Sequence, residues 1–85
     1  MGRLFASPKQ VRVRTGADGE PISLLWRGRW ELVRTCARWR LEDDWWRQGG
    51  EVVREYYKLQ TASATVCVVF RDEVAGAWYL EKILD

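Results

Sequence analysis

Arginine and tryptophan interleave through residues 26–46, WRGRWELVRTCARWRLEDDWW, a stretch that holds five of the six tryptophans. Arginine presents a planar fork of donors to phosphates and carboxylates and stacks on rings. Tryptophan supplies a stacking face, and both residue types are enriched at interface hot spots. The chemistry open to this stretch is therefore recognition. The acidic run Glu42, Asp43, Asp44 that follows reads as a solvated turn, because a metal site needs carboxylates converging from separate elements.

Catalysis has little to work with. The chain has no histidine, which removes the commonest general base and the usual activator of a serine or cysteine nucleophile. Ser7, Ser23 and Ser63 therefore have no imidazole partner. No phosphate-cradling GxxxxGK[ST] and no GxGxxG occurs. Two cysteines without histidine cannot furnish a usual structural zinc site. The expectation is a non-enzymatic protein without metal or cofactor, with Cys36 and Cys67 as buried free thiols rather than a disulfide framework.

Charge divides the chain. Residues 1–40 carry nine basic and three acidic side chains, +6, and residues 41–85 carry five and nine, −4, which sum to the net +2. Two readings follow: a side that faces a polyanion, or two halves that complement each other internally. The segment 1–10 lacks the apolar run of a signal peptide, and no stretch reaches the length of a membrane span. A soluble, cytoplasmic chain that does not engage a membrane is expected.

The elements that must position these residues are strands. Residues 1–9 read as a flexible arm, and residues 10–85 as a single small β domain. Alternation over 9–14 sets Val11 and Val13 against Arg12 and Arg14. The cluster Gly16, Asp18, Gly19 turns the chain into a second strand, 22–26. Arg27-Gly28 predicts a two-residue hairpin that brings Trp26 and Trp30 close together. Residues 30–41 fit two templates. As a strand, Val33, Thr35, Ala37, Trp39 and Leu41 share one face and Arg34, Cys36, Arg38 and Arg40 the other, with a bulge near Leu32. As a helix, Trp30, Val33, Ala37 and Leu41 form a stripe. The strand accounts for every charged residue from 33 to 41. Residues 42–50 read as a loop that folds Trp45-Trp46 back. Strands over 52–60, 65–71 and 77–84 complete the chain, with the apolar VCVVF run as the central strand. The expected fold is all-β, a single antiparallel six-stranded curled sheet or small barrel; the alternative is α+β with a helix at about 30–47.

On this frame the candidate nucleic-acid-binding residues are Arg12, Arg14, Arg34, Arg38, Arg40 and Tyr56, a basic surface with an aromatic at exposed parity, as in single-strand binders. The opposing reading pairs these arginines with Glu31, Glu51, Glu55 and Glu81. The candidate protein-interaction residues are Trp45, Trp46 and Arg47.

Taken in order, Trp26-Arg27-Gly28-Arg29-Trp30, Arg38-Trp39-Arg40, Asp43-Asp44-Trp45-Trp46-Arg47, Arg54-Glu55-Tyr56-Tyr57, Phe70-Arg71-Asp72 and Trp78-Tyr79-Leu80 resemble a small bacterial family of unknown function (the DUF6504 type). That family is similar to the C-terminal segment of the Y-family polymerase-like protein of the bacterial mutasome. The resemblance spans roughly residues 10–84 and transfers no catalytic residue. It implies an accessory module in DNA repair or translesion synthesis whose partner is single-stranded DNA or a DNA polymerase complex. The alternative is a protein–protein interaction domain that does not touch nucleic acid.

Overall fold

Alternating side chains and short turns build a chain of strands. The computed structural model describes the backbone of residues 3–45 and 50–84, and the side chains of 8–42 and 52–84. Seven strands follow one another: β1 (Arg3–Val11), β2 (Val13–Thr15), β3 (Pro21–Trp26), β4 (Arg29–Trp45), β5 (Gly50–Thr61), β6 (Val66–Asp72) and β7 (Ala77–Leu84). They form one antiparallel sheet in the order β1-β7-β6-β5-β4-β3-β2. There is no helix among the described residues, and hence none long and apolar enough to cross a membrane. The all-β expectation holds and the helical alternative for 30–47 does not: β4 is extended throughout.

The curl has a covalent cause. β1 and β2 stand at opposite ends of the sheet order, yet only Arg12 separates them. The run pairs with β7 through Lys9–Val11 and with β3 from Val13 onward. At the corner, the Leu25 N–H donates to the Arg12 carbonyl at 3.0 Å. Both ends of the sheet are thus tied to one run, and the sheet bends into a half-barrel. This corner also makes seven strands out of an expected six. At the other end of β1, Arg3 pairs with Ile83, so strand structure begins inside the segment expected as an arm.

The concave face carries the main core. Leu24, Tyr57, Leu59, Cys67, Val69 and Leu80 are buried there, with Val11, Val13, Trp26, Val33, Trp78 and Ile83 packed around them. A second cluster, Tyr56, Val68 and Phe70, is buried on the convex face, flanked by Tyr79 and Leu84. β6 contributes to both, which is why VCVVF is apolar at every position: a strand covered on both faces has no solvent side to alternate with.

Turn chemistry follows the sequence closely. Arg27 and Gly28 both have positive φ, 51° and 82°, and Trp26 pairs with Arg29 across them. Positive φ at both central residues is the type I′ hairpin, whose twist matches the flanking strands. One detail is corrected. Trp30 pairs with Leu25, one step from Trp26, so the two indoles lie on opposite faces: Trp26 joins the concave core, and Trp30 lies under the Arg14 guanidinium, 4.0 Å from its ring centroid.

β4 departs from the expected parity. The bulge falls at Cys36 instead of near Leu32: Thr35 pairs with Leu59 and Ala37 with Lys58, leaving Cys36 unopposed. An extra residue exchanges the faces of everything after it. Val33 and Thr35 therefore share the concave side with Arg38 and Arg40, whereas Arg34 shares the convex side with Ala37, Trp39 and Leu41. Trp39, expected toward the core, is 44% exposed on the convex face. The expected loop 42–50 is shorter, since β4 runs to Trp45, which pairs with Gly50. Trp46 and Arg47 lie outside the described residues, and so does the Trp45 side chain.

Both cysteines are free, but only Cys67 is buried; Cys36, on the bulge, is exposed. Burial pushes the Cys67 thiol up from 9.0 to about 11. An acid that is harder to ionise in the folded chain than in the unfolded one stabilises the fold below the unfolded value. That contribution is lost as pH rises toward the folded value. Stability should therefore fall between pH 9 and about 11 by roughly 2–3 kcal/mol from this group. Denaturant titrations against pH should show the loss, and Cys67→Ala should flatten it. A thiol reagent at neutral pH should label Cys36 within seconds and Cys67 only on unfolding.

Candidate nucleic-acid interface

Four neighbouring strands each place one aromatic ring at the same level of the convex face. Trp39 on β4 opposes Tyr56 on β5, Tyr56 opposes Phe70 on β6, and Phe70 opposes Tyr79 on β7. Cross-strand neighbours lie at ring-stacking distance. The centroid separations are 5.4, 5.1 and 5.4 Å, and Trp39 and Tyr56 are within 3° of parallel. The row is closed in the middle and open at the β4 end. Phe70 and Tyr56 are 2% and 6% exposed, whereas Trp39 presents nearly half its surface.

Arg54 lies across the row. Its guanidinium sits 4.5 Å from the Phe70 centroid, and its Nη1 donates to the Tyr56 hydroxyl at 3.3 Å. Its Nε is buried with no acceptor among the described residues, an arrangement that costs on the order of 1–3 kcal/mol. Beside it Pro8, Arg54, Phe70, Asp72 and Tyr79 line a pocket of about 230 Å³. Pro8 arrives there because residues 5–8 of β1 stand against the single residue Glu81 of β7. Asp72 is already engaged, since its Oδ1 accepts from the backbone N–H groups of Val74 and Ala75 at 3.0 and 3.1 Å.

Register sorts the charges between the faces. Positions in register with the aromatic row carry Arg34, Arg54, Lys58 and Lys82, and the β1–β2 run adds Arg12 and Arg14 between the inward Val11 and Val13. Asp72 is the carboxylate of this face whose side chain is described, and position 43, an aspartate, falls on the same face by its register with Val52. Arg34 leans on Gln60, whose Oε1 accepts from Nη2 at 2.7 Å.

On the other face, which by register also carries Arg29 and Arg71, carboxylates hold Arg38 and Arg40. Arg38 pairs with Glu20 and approaches Glu55 at 3.7 Å. Arg40 is held by Glu42, and by Glu55 and Glu73 at 3.1 Å each. Hydrogen bonds to Glu42 first, then to Glu73 and Glu55, hold the Arg40 guanidinium above its ordinary range. The hydrogen bond to Glu20 does the same for Arg38.

The six residues read from the sequence as a nucleic-acid surface therefore separate. Arg12, Arg14 and Arg34 share the convex face. Arg38 and Arg40 sit in the carboxylate network on the concave side, where Glu55 is one of the partners anticipated from sequence. Tyr56 has the expected parity but is buried beneath Trp39, so the accessible ring is Trp39. Arg54, Lys58, Phe70 and Tyr79 were missed as members of one surface. The signal for the first two was present in the period-2 run Arg54, Tyr56, Lys58. Phe70 and Tyr79 are identified only by the pairing register.

The network yields a direct test. In Arg40→Ala the carboxylates of Glu42, Glu55 and Glu73 lose their shared cation and repel one another. The variant should melt below the parent at neutral pH. The deficit should be larger at low salt, where the uncompensated negative charges are least screened. Thermal melts at several salt concentrations check this.

A scan against protein-family models found no match, and neither the search of curated proteins nor that of solved structures found one.

Proposed function

We propose that the protein is a non-enzymatic, cytoplasmic accessory module that binds single-stranded nucleic acid on its convex face. One observation supports this reading: by strand register Arg34, Arg54, Lys58 and Lys82 share a face with an aromatic row whose accessible end is Trp39, and Arg12 and Arg14 fall on the same face of the β1–β2 run. A cationic face supplies sequence-independent attraction to phosphates, and an exposed ring backed by a second ring is a stacking platform for a base. The net charge of +2 understates the attraction, because the carboxylates nearest Arg38 and Arg40 lie on the opposite side. The resemblance to the mutasome-associated family supplies the setting, DNA repair or translesion synthesis beside a polymerase complex.

A second reading, contact with a protein and none with nucleic acid, is favoured by the exposed Leu32, Trp39 and Leu41, which follow one another along β4.

Titration of a short oligothymidylate at low salt, followed by tryptophan fluorescence, separates the two. Binding should weaken with salt with a logarithmic slope of about −2 to −3 if three or four phosphates are engaged. Trp39→Ala should lose ~1–3 kcal/mol, as for loss of one stacked base. Arg34→Glu should weaken binding further, whereas Arg38→Gln should leave it near the parent value. Absence of binding at low salt, or an equal loss in Arg34→Glu and Arg38→Gln, would overturn the nucleic-acid reading.

A further inference from the structure

β4 is 17 residues long, and its two sides are unequally covered. β3 pairs with it only from Arg29 to Leu32, and β5 only from Val33 to Trp45. Past Leu32, therefore, the side of β4 turned away from β5 has no strand beside it among the described residues. An extended edge of unpaired N–H and C=O groups templates the addition of another strand. Proteins usually guard such edges with proline, short length, a bulge or charged side chains, and the mixed charges on this edge guard it only against pairings that set like against like. Here there is no proline, the edge continues past the Cys36 bulge, and Trp39 and Leu41 are exposed along it at 44% and 41%.

The edge carries its own complement. Around Leu41 the sequence reads Arg38-Trp39-Arg40-Leu41-Glu42-Asp43-Asp44, basic before and acidic after. Directly opposed residues of an antiparallel pair lie on the same face, which limits a symmetric pairing of two copies to a few centres. Centred on Leu41, position 40 opposes position 42 and position 38 opposes position 44, an opposite-charge pair each time, and Leu41 meets Leu41. Centred on Trp39, Arg38 opposes Arg40. Centred on Arg40 or Glu42, that residue opposes itself. A parallel, in-register pairing sets every charge against its like. The carboxylate network points the same way. Within one copy Glu20, Glu42, Glu55 and Glu73 share two guanidiniums, and the Glu42 side chain is 63% exposed. A second copy brings another Arg40 to that carboxylate.

We propose that the free edge of β4 is a homodimer interface, in which two copies pair antiparallel about a two-fold axis at Leu41 and join their sheets. Such an interface is isologous, so every contact occurs twice. It neither requires nor excludes nucleic-acid binding on the convex face.

Sedimentation velocity of the whole chain across the micromolar range tests it. The parent protein should dimerise, less tightly at high salt. Leu41→Lys, which places a lysine guard on the edge, should be monomeric with an unchanged far-UV spectrum. Arg40→Glu and Glu42→Arg should each raise the dissociation constant roughly tenfold or more, since each opposes like charges twice. Mixing the two variants should restore a dimer, because every opposed pair is again of opposite sign. Arg40 also belongs to the intramolecular network. Should Arg40→Glu fail to fold, Leu41→Lys and Glu42→Arg carry the test. A parent chain that is monomeric throughout, or a dimer that survives both Leu41→Lys and Glu42→Arg, overturns the proposal. Failure of the folded mixture to associate overturns the register.

Discussion

One unopposed residue in β4 decides what each face of the sheet carries. Backbone pairing with β5 is continuous from Val33 to Trp45 except at Cys36. Without that bulge, Trp39 and Leu41 would turn toward the concave core, and Arg38 and Arg40 would join Arg34 and Lys58 outside. With it, two arginines go to the side where Glu20, Glu55 and Glu73 await them, and an indole goes to the side where Tyr56 and Phe70 extend a stack. A bulge costs one unpaired backbone position and increases the local twist, which also suits a sheet that must curl. Charge sorting and curvature thus share one cause.

The curl has consequences for the core. Tied at Arg12, the sheet closes around a concave cluster to which every strand contributes, including Trp26 and Trp78. A chain of this length has little interior to spare, and two further large rings, Tyr56 and Phe70, are buried on the convex face instead. Their cover comes from neighbours on the same face. Arg54 lays its guanidinium over Phe70, a packing role open to a long cationic side chain. On this face Arg14 and Arg54 are held against the rings of Trp30 and Phe70, which suits the recognition role proposed for it.

Much of this was legible in the sequence. Period-2 alternation located β2, β5 and β7, Arg27-Gly28 marked its own hairpin, and the unbroken VCVVF run announced a strand covered on both sides. What the sequence does not display is register. A bulge near Leu32 was read from the opposite parities of Trp30 and Val33, but those parities need none, since Trp30 lies on the convex face and Val33 on the concave one; the bulge comes later, at Cys36, where nothing in the residue types marks it. The error at Leu32 carried Trp39 inward and Arg38 and Arg40 outward. The same limit hid the aromatic row, whose members lie in four separate strands and share nothing in sequence beyond being aromatic. Tyr56 was read as exposed because its face carries Arg54 and Lys58; the ring under Trp39 is covered by a partner that only pairing reveals.

The central claim is that register makes the convex face, and not the arginine-rich stretch as a whole, the binding surface. Backbone amide shifts during titration with a short single-stranded oligonucleotide test it most directly. The account predicts that perturbed amides cluster at Arg34, Trp39, Arg54, Tyr56, Lys58 and Tyr79, with the side-chain signals of Arg38 and Arg40 unmoved and their pairing to Glu20 and Glu55 intact. Perturbations centred on Arg38, Arg40 and Glu55, with Trp39 and Lys58 silent, would contradict it.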